Sequence, residues 1–147
     1  MMECYGKELG CFETFLLTGD IKPEDVKVDF LLNTKKNPDV DNPTKLPYLD
    51  IVDPQRPVFK GTINPKLPVK VITHGFNDWP YFSKWKDMTS KILERDNVNV
   101  VRVDWRRGVE PPYYLTAVRN TELIGAMIAV LLKRLVKVNE TVRAFYF

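Results

Sequence analysis

The chain holds a single histidine, His74, and that scarcity bounds its chemistry. A Ser-His-Asp relay needs a serine on a strained strand-to-helix turn, with small flanking residues that let the backbone bend. Neither Ser83 nor Ser90 has flanking glycines, and both fall inside a helical pattern. Two cysteines and one distant histidine are too few ligands for a zinc centre, so no metal is expected, and no cofactor either. The longest apolar run, Leu123 to Leu132, has ten residues. A membrane span needs about twenty, so this run reads as part of a core helix and no transmembrane segment is expected. Met1-Met2-Glu3-Cys4 lacks both the basic and the apolar region of a leader peptide. Basic residues outnumber acidic ones by only 22 to 19 and are scattered among them. That pattern makes no phosphate-tracking stripe, and no nucleic-acid partner is expected. Neither an internal repeat nor a low-complexity segment occurs.

What is present is the composition of one ordinary globular domain: 147 residues, 44% hydrophobic and 28% charged. Cys4 and Cys11 stand close together near the N-terminus. Two reduced thiols is one reading and a local disulfide the other. The Asn-Glu-Thr sequon at Asn139, a possible N-glycosylation site and a hint of a secreted chain, favours the disulfide.

The chain changes character at residue 68. Before it, Pro23-Glu24-Asp25 reads as a turn and Val26–Leu32 as a strand. From Thr34 to Pro68 seven prolines, at 38, 43, 47, 54, 57, 65 and 68, leave room for only short strands around Tyr48–Val52 and Val58–Thr62. After it, Val69–Thr73 reads as a strand. A helix from Tyr81 to about Asp96 follows, with Phe82, Trp85, Met88, Ile92 and Leu93 at helical spacing. Asn97–Trp105 reads as a second strand, broken by Gly108 and Pro111-Pro112. A long helix from Tyr113 to Val138 carries Leu115, Val118, Leu123, Ile124, Met127, Val130 and Leu131 on its apolar side, and Val142–Phe147 reads as a last strand. The division is thus 1–68, strands and proline-rich loops, and 69–147, a βαβαβ unit. Such alternation implies an α/β fold with a mostly parallel sheet and flanking helices.

The segment Val69-Lys70-Val71-Ile72-Thr73-His74-Gly75-Phe76 is the most informative. A buried strand running into a glycine turn aims backbone N–H groups at whatever sits beyond the strand end, which is half of an oxyanion hole. The candidate donor is the N–H of Phe76, with Gly75 allowing close approach and His74 favoured as a structural residue beneath the turn over a general base. Trp79, Tyr81 and Phe82 either line an acyl pocket or seal the helix to the sheet. Asp104 is favoured as a turn-former over a catalytic acid. Trp105-Arg106-Arg107 fits an anionic headgroup and a solvated turn equally.

Four patches in order resemble the N-terminal part of the pancreatic lipase family, which includes secreted triacylglycerol lipases and arthropod phospholipases A1. They are Cys-Tyr-x-x-x-Leu-Gly-Cys-Phe from Cys4 to Phe12, Phe30-Leu31-Leu32-x-Thr34, Ile72-Thr73-His74-Gly75-Phe76, and Val103-Asp104-Trp105. Asn33-x-Lys35-x-Asn37-Pro38 and the stretch Asn120–Ala129 suit the family too. The resemblance implies a partial α/β-hydrolase fold, with Val69–Thr73 leading to the oxyanion loop and Val142–Phe147 leading to the nucleophile elbow beside it. It also implies a Cys4–Cys11 disulfide, Phe76 as an oxyanion-hole donor, a lipid substrate or lipid–water interface as partner, and an extracellular location. Residues 1–147 then form the N-terminal part of one lipase domain. Without the catalytic Ser, Asp and His of the triad it is expected to be inactive as it stands. A non-catalytic lipase-like lipid-binding or yolk-type protein is the alternative.

Overall fold

The computed structural model describes residues 2–4, 6–13, 22–53, 55–56, 59–109, 114–138 and 144–146. In chain order the elements are β1 (Met2–Cys4), α1 (Gly6–Leu9), β2 (Cys11–Glu13), α2 (Pro23–Val26), β3 (Asp29–Asn33), β4 (Thr44–Pro47) and α3 (Tyr48–Val52). Then follow β5 (Val69–Thr73), α4 (Ser83–Arg95), β6 (Asn99–Asp104), a short 3-10 turn at Arg106–Gly108, α5 (Tyr114–Val138) and β7 (Ala144–Tyr146). β1 and β2 form a hairpin in which Cys4 lies opposite Cys11, and the two are disulfide-bonded.

The main sheet has the order β4-β3-β6-β5-β7. β5 is parallel to β6, with Val71 beside Val101, and parallel to β7, with Val71 beside Tyr146. β3 runs antiparallel to both β6 and β4. The sheet is therefore mixed rather than mostly parallel: the βαβαβ part forms the parallel half, and β3 and β4 pair antiparallel in the other half. From β5 the chain crosses to β6 on one side, then returns past β5 to β7 on the other. Crossovers of one hand that reverse direction put their helices on opposite faces. Accordingly α5 packs on one face over Phe30, Leu32, Val69, Val71, Val101 and Val103. On the other face α4 covers Ile72, Val98 and Val100 with Leu93, Trp85 and Ile92.

Leu123, Ile124, Met127, Val130, Leu131 and Leu135 make the buried stripe of α5. Each such side chain stabilises by about 1.5–3 kcal/mol when removed from water. The stretch Tyr114–Lys137 is long and apolar enough to cross a membrane by length and composition alone, but its apolar stripe lies against the sheet.

Several expectations are corrected. Val26 ends a helical turn instead of opening a strand: Pro23 at the first helical position presets φ, and Lys27 closes the turn at φ 48° before β3 begins. Tyr48–Val52 is α3, because Tyr48 and Ile51, three residues apart, both face the core. Phe59–Thr62 is a turn with Gly61 at φ +81°, while Val58 lies outside the described residues. The edge strand β4 was not anticipated; its only proline closes it, where no ladder donor is needed. Leu115 is 71% exposed and Val118 47%, because α5 begins beside the Phe76 turn rather than over the sheet. Phe82 and Met88 are likewise exposed on α4 and its approach, and Leu93 is the buried member of that series. Val142, Arg143 and Phe147 lie outside the described residues.

β6 is buried along its whole length, so its polar side chains must be satisfied internally. Asn99 donates to the carbonyls of Asn64 (2.9 Å) and Leu67 (3.2 Å) and accepts from the Asn64 N–H, tying a proline-rich loop to the strand's start. Arg102, 1% exposed, donates to Pro80 O (2.9 Å), Asn33 Oδ1 (3.1 Å) and Val40 O (2.7 Å). Arg102→Met fills the volume but strands those three acceptors. We expect it to lower stability in urea unfolding by about 3 kcal/mol or more, whereas exposed Arg95→Met should change it by less than about 0.5 kcal/mol. Equal effects would mean that the buried guanidinium holds nothing in place.

Candidate functional site

β5 delivers the chain to the carboxyl end of the sheet, where crevices form in α/β folds. There His74, Gly75, Phe76 and Asn77 turn away, Asn77 in the left-handed region at φ 52°. Three anchors hold this turn. First, Trp105 immediately after β6 grips His74 twice, its backbone N–H donating to His74 Nε2 (3.1 Å) and its indole N–H to His74 O (2.8 Å). Because Nε2 accepts, the ring proton sits on Nδ1, which donates to Gly75 O at 3.1 Å. The imidazole is also stacked on the Trp105 ring at 5.5 Å.

The second anchor is Asp78. Its carboxylate accepts from the Trp79 N–H (2.7 Å) and Trp85 Nε1 (3.1 Å) and pairs with Lys84 (2.6 Å), fastening the turn to the first residues of α4. Burial opposes its charge, yet Lys84, Trp85 and the Trp79 N–H outweigh it and hold the carboxyl below its ordinary range. The third is the Arg102–Pro80 bond, with the Arg102 guanidinium 5.8 Å from the Tyr81 ring centroid.

With its neighbours fixed, the N–H of Phe76 has no hydrogen-bond partner among the described residues. Its ring meets Tyr114 edge-on at 5.1 Å. Trp79 contacts Tyr81 at 5.3 Å and Phe82 at 6.0 Å, so the three aromatics do cluster beside the turn. Phe76, Trp79, Phe82 and Tyr114 are all exposed. The Arg106 guanidinium lies over the Trp79 ring at 4.9 Å from its centroid. Asp104 is buried and accepts from the Arg106 N–H (3.3 Å) while its other oxygen faces Arg106 Nε (3.5 Å); it caps the 3-10 turn. Asn120 fixes the end of that turn through Gly108 O at 2.8 Å. A Cβ on Gly108 would meet Trp105 and Val26 side-chain carbons at 3.2 Å, so any larger residue there requires those side chains to give way slightly.

Ser83 opens α4 and Ser90 lies within it, and both His74 nitrogens are occupied, so no nucleophile–base pair exists among the described residues. Asn139 lies outside them. Arg102, Asp78 and Tyr114 escaped the reading of the sequence. For Arg102 a signal existed: a cation between Val101 and Val103 in a β-branched run has no solvent to face. Asp78 and Tyr114 carried none, since their partners lie on other elements.

The model of the family described as Lipase matches residues 9–143. The chain is 33% identical over 144 residues to pancreatic lipase-related protein 2 of Homo sapiens, covering 90% of this chain and 29% of that protein. It is 35% identical over 78 residues to phospholipase A1 of Vespula vulgaris, 48% of this chain and 23% of the relative. To inactive pancreatic lipase-related protein 1 of Homo sapiens it is 30% identical over 139 residues, 88% of this chain and 28% of the relative. The chain thus spans less than a third of the length of these relatives.

Burial pulls the His74 pKa below its ordinary value of 6.5, against smaller opposing pulls from Gly75 O and Asp104. Between those two values the unfolded chain takes up a proton that the folded chain refuses. The stabilisation from neutral His74 is therefore complete above pH 6.5 and declines as pH falls through the lower, folded value. We expect the urea midpoint to drop between about pH 7.5 and pH 5, and His74→Gln, whose amide oxygen accepts the Trp105 N–H without titrating, to flatten that dependence. An equal drop in the variant would assign it to other groups.

Proposed function

We propose, from the premise that this chain belongs to the lipase family, that it supplies the oxyanion-stabilising half of a secreted lipid ester hydrolase. The observation carrying this reading is the N–H of Phe76, unpartnered among the described residues and held by three anchors at the end of β5, next to β7. In ester cleavage the carbonyl oxygen gains charge as a tetrahedral intermediate forms. A fixed N–H aimed at that oxygen stabilises the charge without reorganising. The aromatic ring edge of Phe76 and the Trp79, Tyr81 and Phe82 cluster give an acyl chain an apolar wall, continued by Tyr114. His74 acts as a brace: it sets the direction of the turn through Trp105 and transfers no proton. The substrate class is an acylglycerol or phospholipid ester. The Cys4–Cys11 disulfide favours an oxidising, extracellular setting.

The covalent step needs a nucleophile and base from outside these 147 residues, since the single histidine is committed and neither serine lies at a strand end. By themselves the 147 residues are a non-turning-over unit. A second reading, a non-catalytic lipid-binding protein, draws support from the same committed histidine and from the likeness to a relative named inactive. The residue at the elbow position of a longer product from the same locus separates them: serine supports the hydrolase, any other residue the binding protein.

On short-chain esters the purified chain should show no turnover above a heat-denatured control; genuine turnover would overturn the assignment of roles. In a longer product with an elbow serine, Phe76→Pro deletes the donor and should lower kcat about 100- to 1,000-fold. Phe76→Ala keeps the N–H and should mainly raise KM. Wild-type kcat in the proline variant would remove Phe76 from the oxyanion hole.

A further inference from the structure

A second concavity opens at the same end of the sheet, on the side of β6 away from β5. It encloses about 310 Å³ between the α2–β3 junction, the β4–α3 corner and the turn after β6. Its cations are Lys27, Lys45, Arg106 and Arg107, and its acids are Glu24, Asp29 and Asp104. Two of those acids are already matched, Asp29 by Lys45 at 2.7 Å and Asp104 by Arg106. Lys27 and Arg107 have no ion-pair partner among the described residues and outnumber the remaining carboxylate, Glu24. Lys27 sits in the left-handed region at the C-cap of α2, a place usually given to glycine or asparagine because a Cβ is disfavoured there. The lysine thus keeps a cation at the cleft against its own backbone preference. Val28, Pro23 and Leu49 supply the apolar part of the walls.

Arg106 joins this cleft to the Phe76 turn, because the same guanidinium that lines the cleft covers Trp79. Along this rim the surface passes from exposed aromatics to one shared arginine and then to unpaired cations. An amphiphile whose ester lies at the Phe76 N–H and whose anionic head lies past Trp79, on the Arg106 side, matches that order. A neutral acylglycerol has no group for the cationic end.

We propose that this cleft binds the phosphate of a phospholipid headgroup, with Lys27 and Arg107 as its charge-assisted donors and Arg106 orienting it beside the Phe76 turn. The lipid source of the phosphate rests on the hydrolase reading above; the cleft's preference for a phosphate ester does not.

The test is an amide-resolved NMR titration of the 147-residue chain with sn-glycero-3-phosphocholine, inorganic phosphate and glycerol in separate arms. Binding requires no nucleophile, so it is read independently of turnover. The diester should shift amides at Lys27–Asp29 and Trp105–Arg107, more tightly than inorganic phosphate, while glycerol leaves them unmoved. The pair Lys27→Gly and Arg107→Gln, of which the first also relieves the left-handed backbone, should weaken diester binding at least about tenfold. Lys66→Ala with Lys133→Ala, exposed cations elsewhere, should leave it unchanged. No shift at saturating diester, inorganic phosphate binding as tightly, or equal loss in the control pair would overturn the proposal. An esterase-active longer product in which the cleft amides ignore the diester would remove the headgroup site alone. Diester binding by a longer product that has an elbow serine yet shows no ester turnover would remove the hydrolase reading alone.

Discussion

Every residue of β6 is buried, so the polar side chains on it, and on the residue that follows it, take their partners from inside the protein, with only Arg102 Nε left without one among the described residues. That constraint organises the rest of the structure. Asn99 reaches back to the loop before β5, Arg102 clasps three segments at once, and Trp105 locks onto His74. The loops that these groups hold are long and rich in proline, with few ladder bonds of their own. Their shape is borrowed from a strand whose own polar groups would be costly to leave unmade. The Phe76 turn is consequently fixed before any ligand arrives, which is what the proposed oxyanion role requires.

The sequence made the second half of the chain legible because its signals are local. β-branched runs bounded by Pro68 and Gly108, and helical spacing over Ser83–Arg95 and Tyr114–Val138, each report one element. The His-Gly-Phe turn was equally readable, since a strand end followed by glycine is a local pattern. Where burial depended on a partner far away, the pattern misled. Tyr48 and Ile51 look like strand residues until α5 stands opposite them. Leu115 and Val118 look like core until α5 is seen to begin at the rim of the sheet. The tripartite role of Arg102 spans 69 positions to Asn33 and 22 to Pro80, distances that no periodicity encodes.

Two chemistries meet around Trp79. Exposed aromatics and the Phe76 N–H, unpartnered among the described residues, lie near it, and Arg106 leads from it to a cleft whose cations outnumber its carboxylates. Arg106 is the shared group, lining the cleft and seated on the indole. The Arg106 guanidinium sits on the Trp79 ring while facing Asp104, so one side chain ties the indole to the start of the 3-10 turn. The support of the turn and the charge of the neighbouring cleft therefore come from one short segment, Asp104 to Gly108.

The central claim is that His74 is a neutral brace whose Nε2 is filled by the Trp105 N–H, leaving the donor role to Phe76. Long-range ¹H–¹⁵N correlation spectroscopy of the histidine ring at neutral pH tests it most directly. The account predicts a single Nδ1–H tautomer, with Nε2 at the shift of a hydrogen-bonded acceptor. An Nε2–H tautomer or an imidazolium at that pH would contradict it.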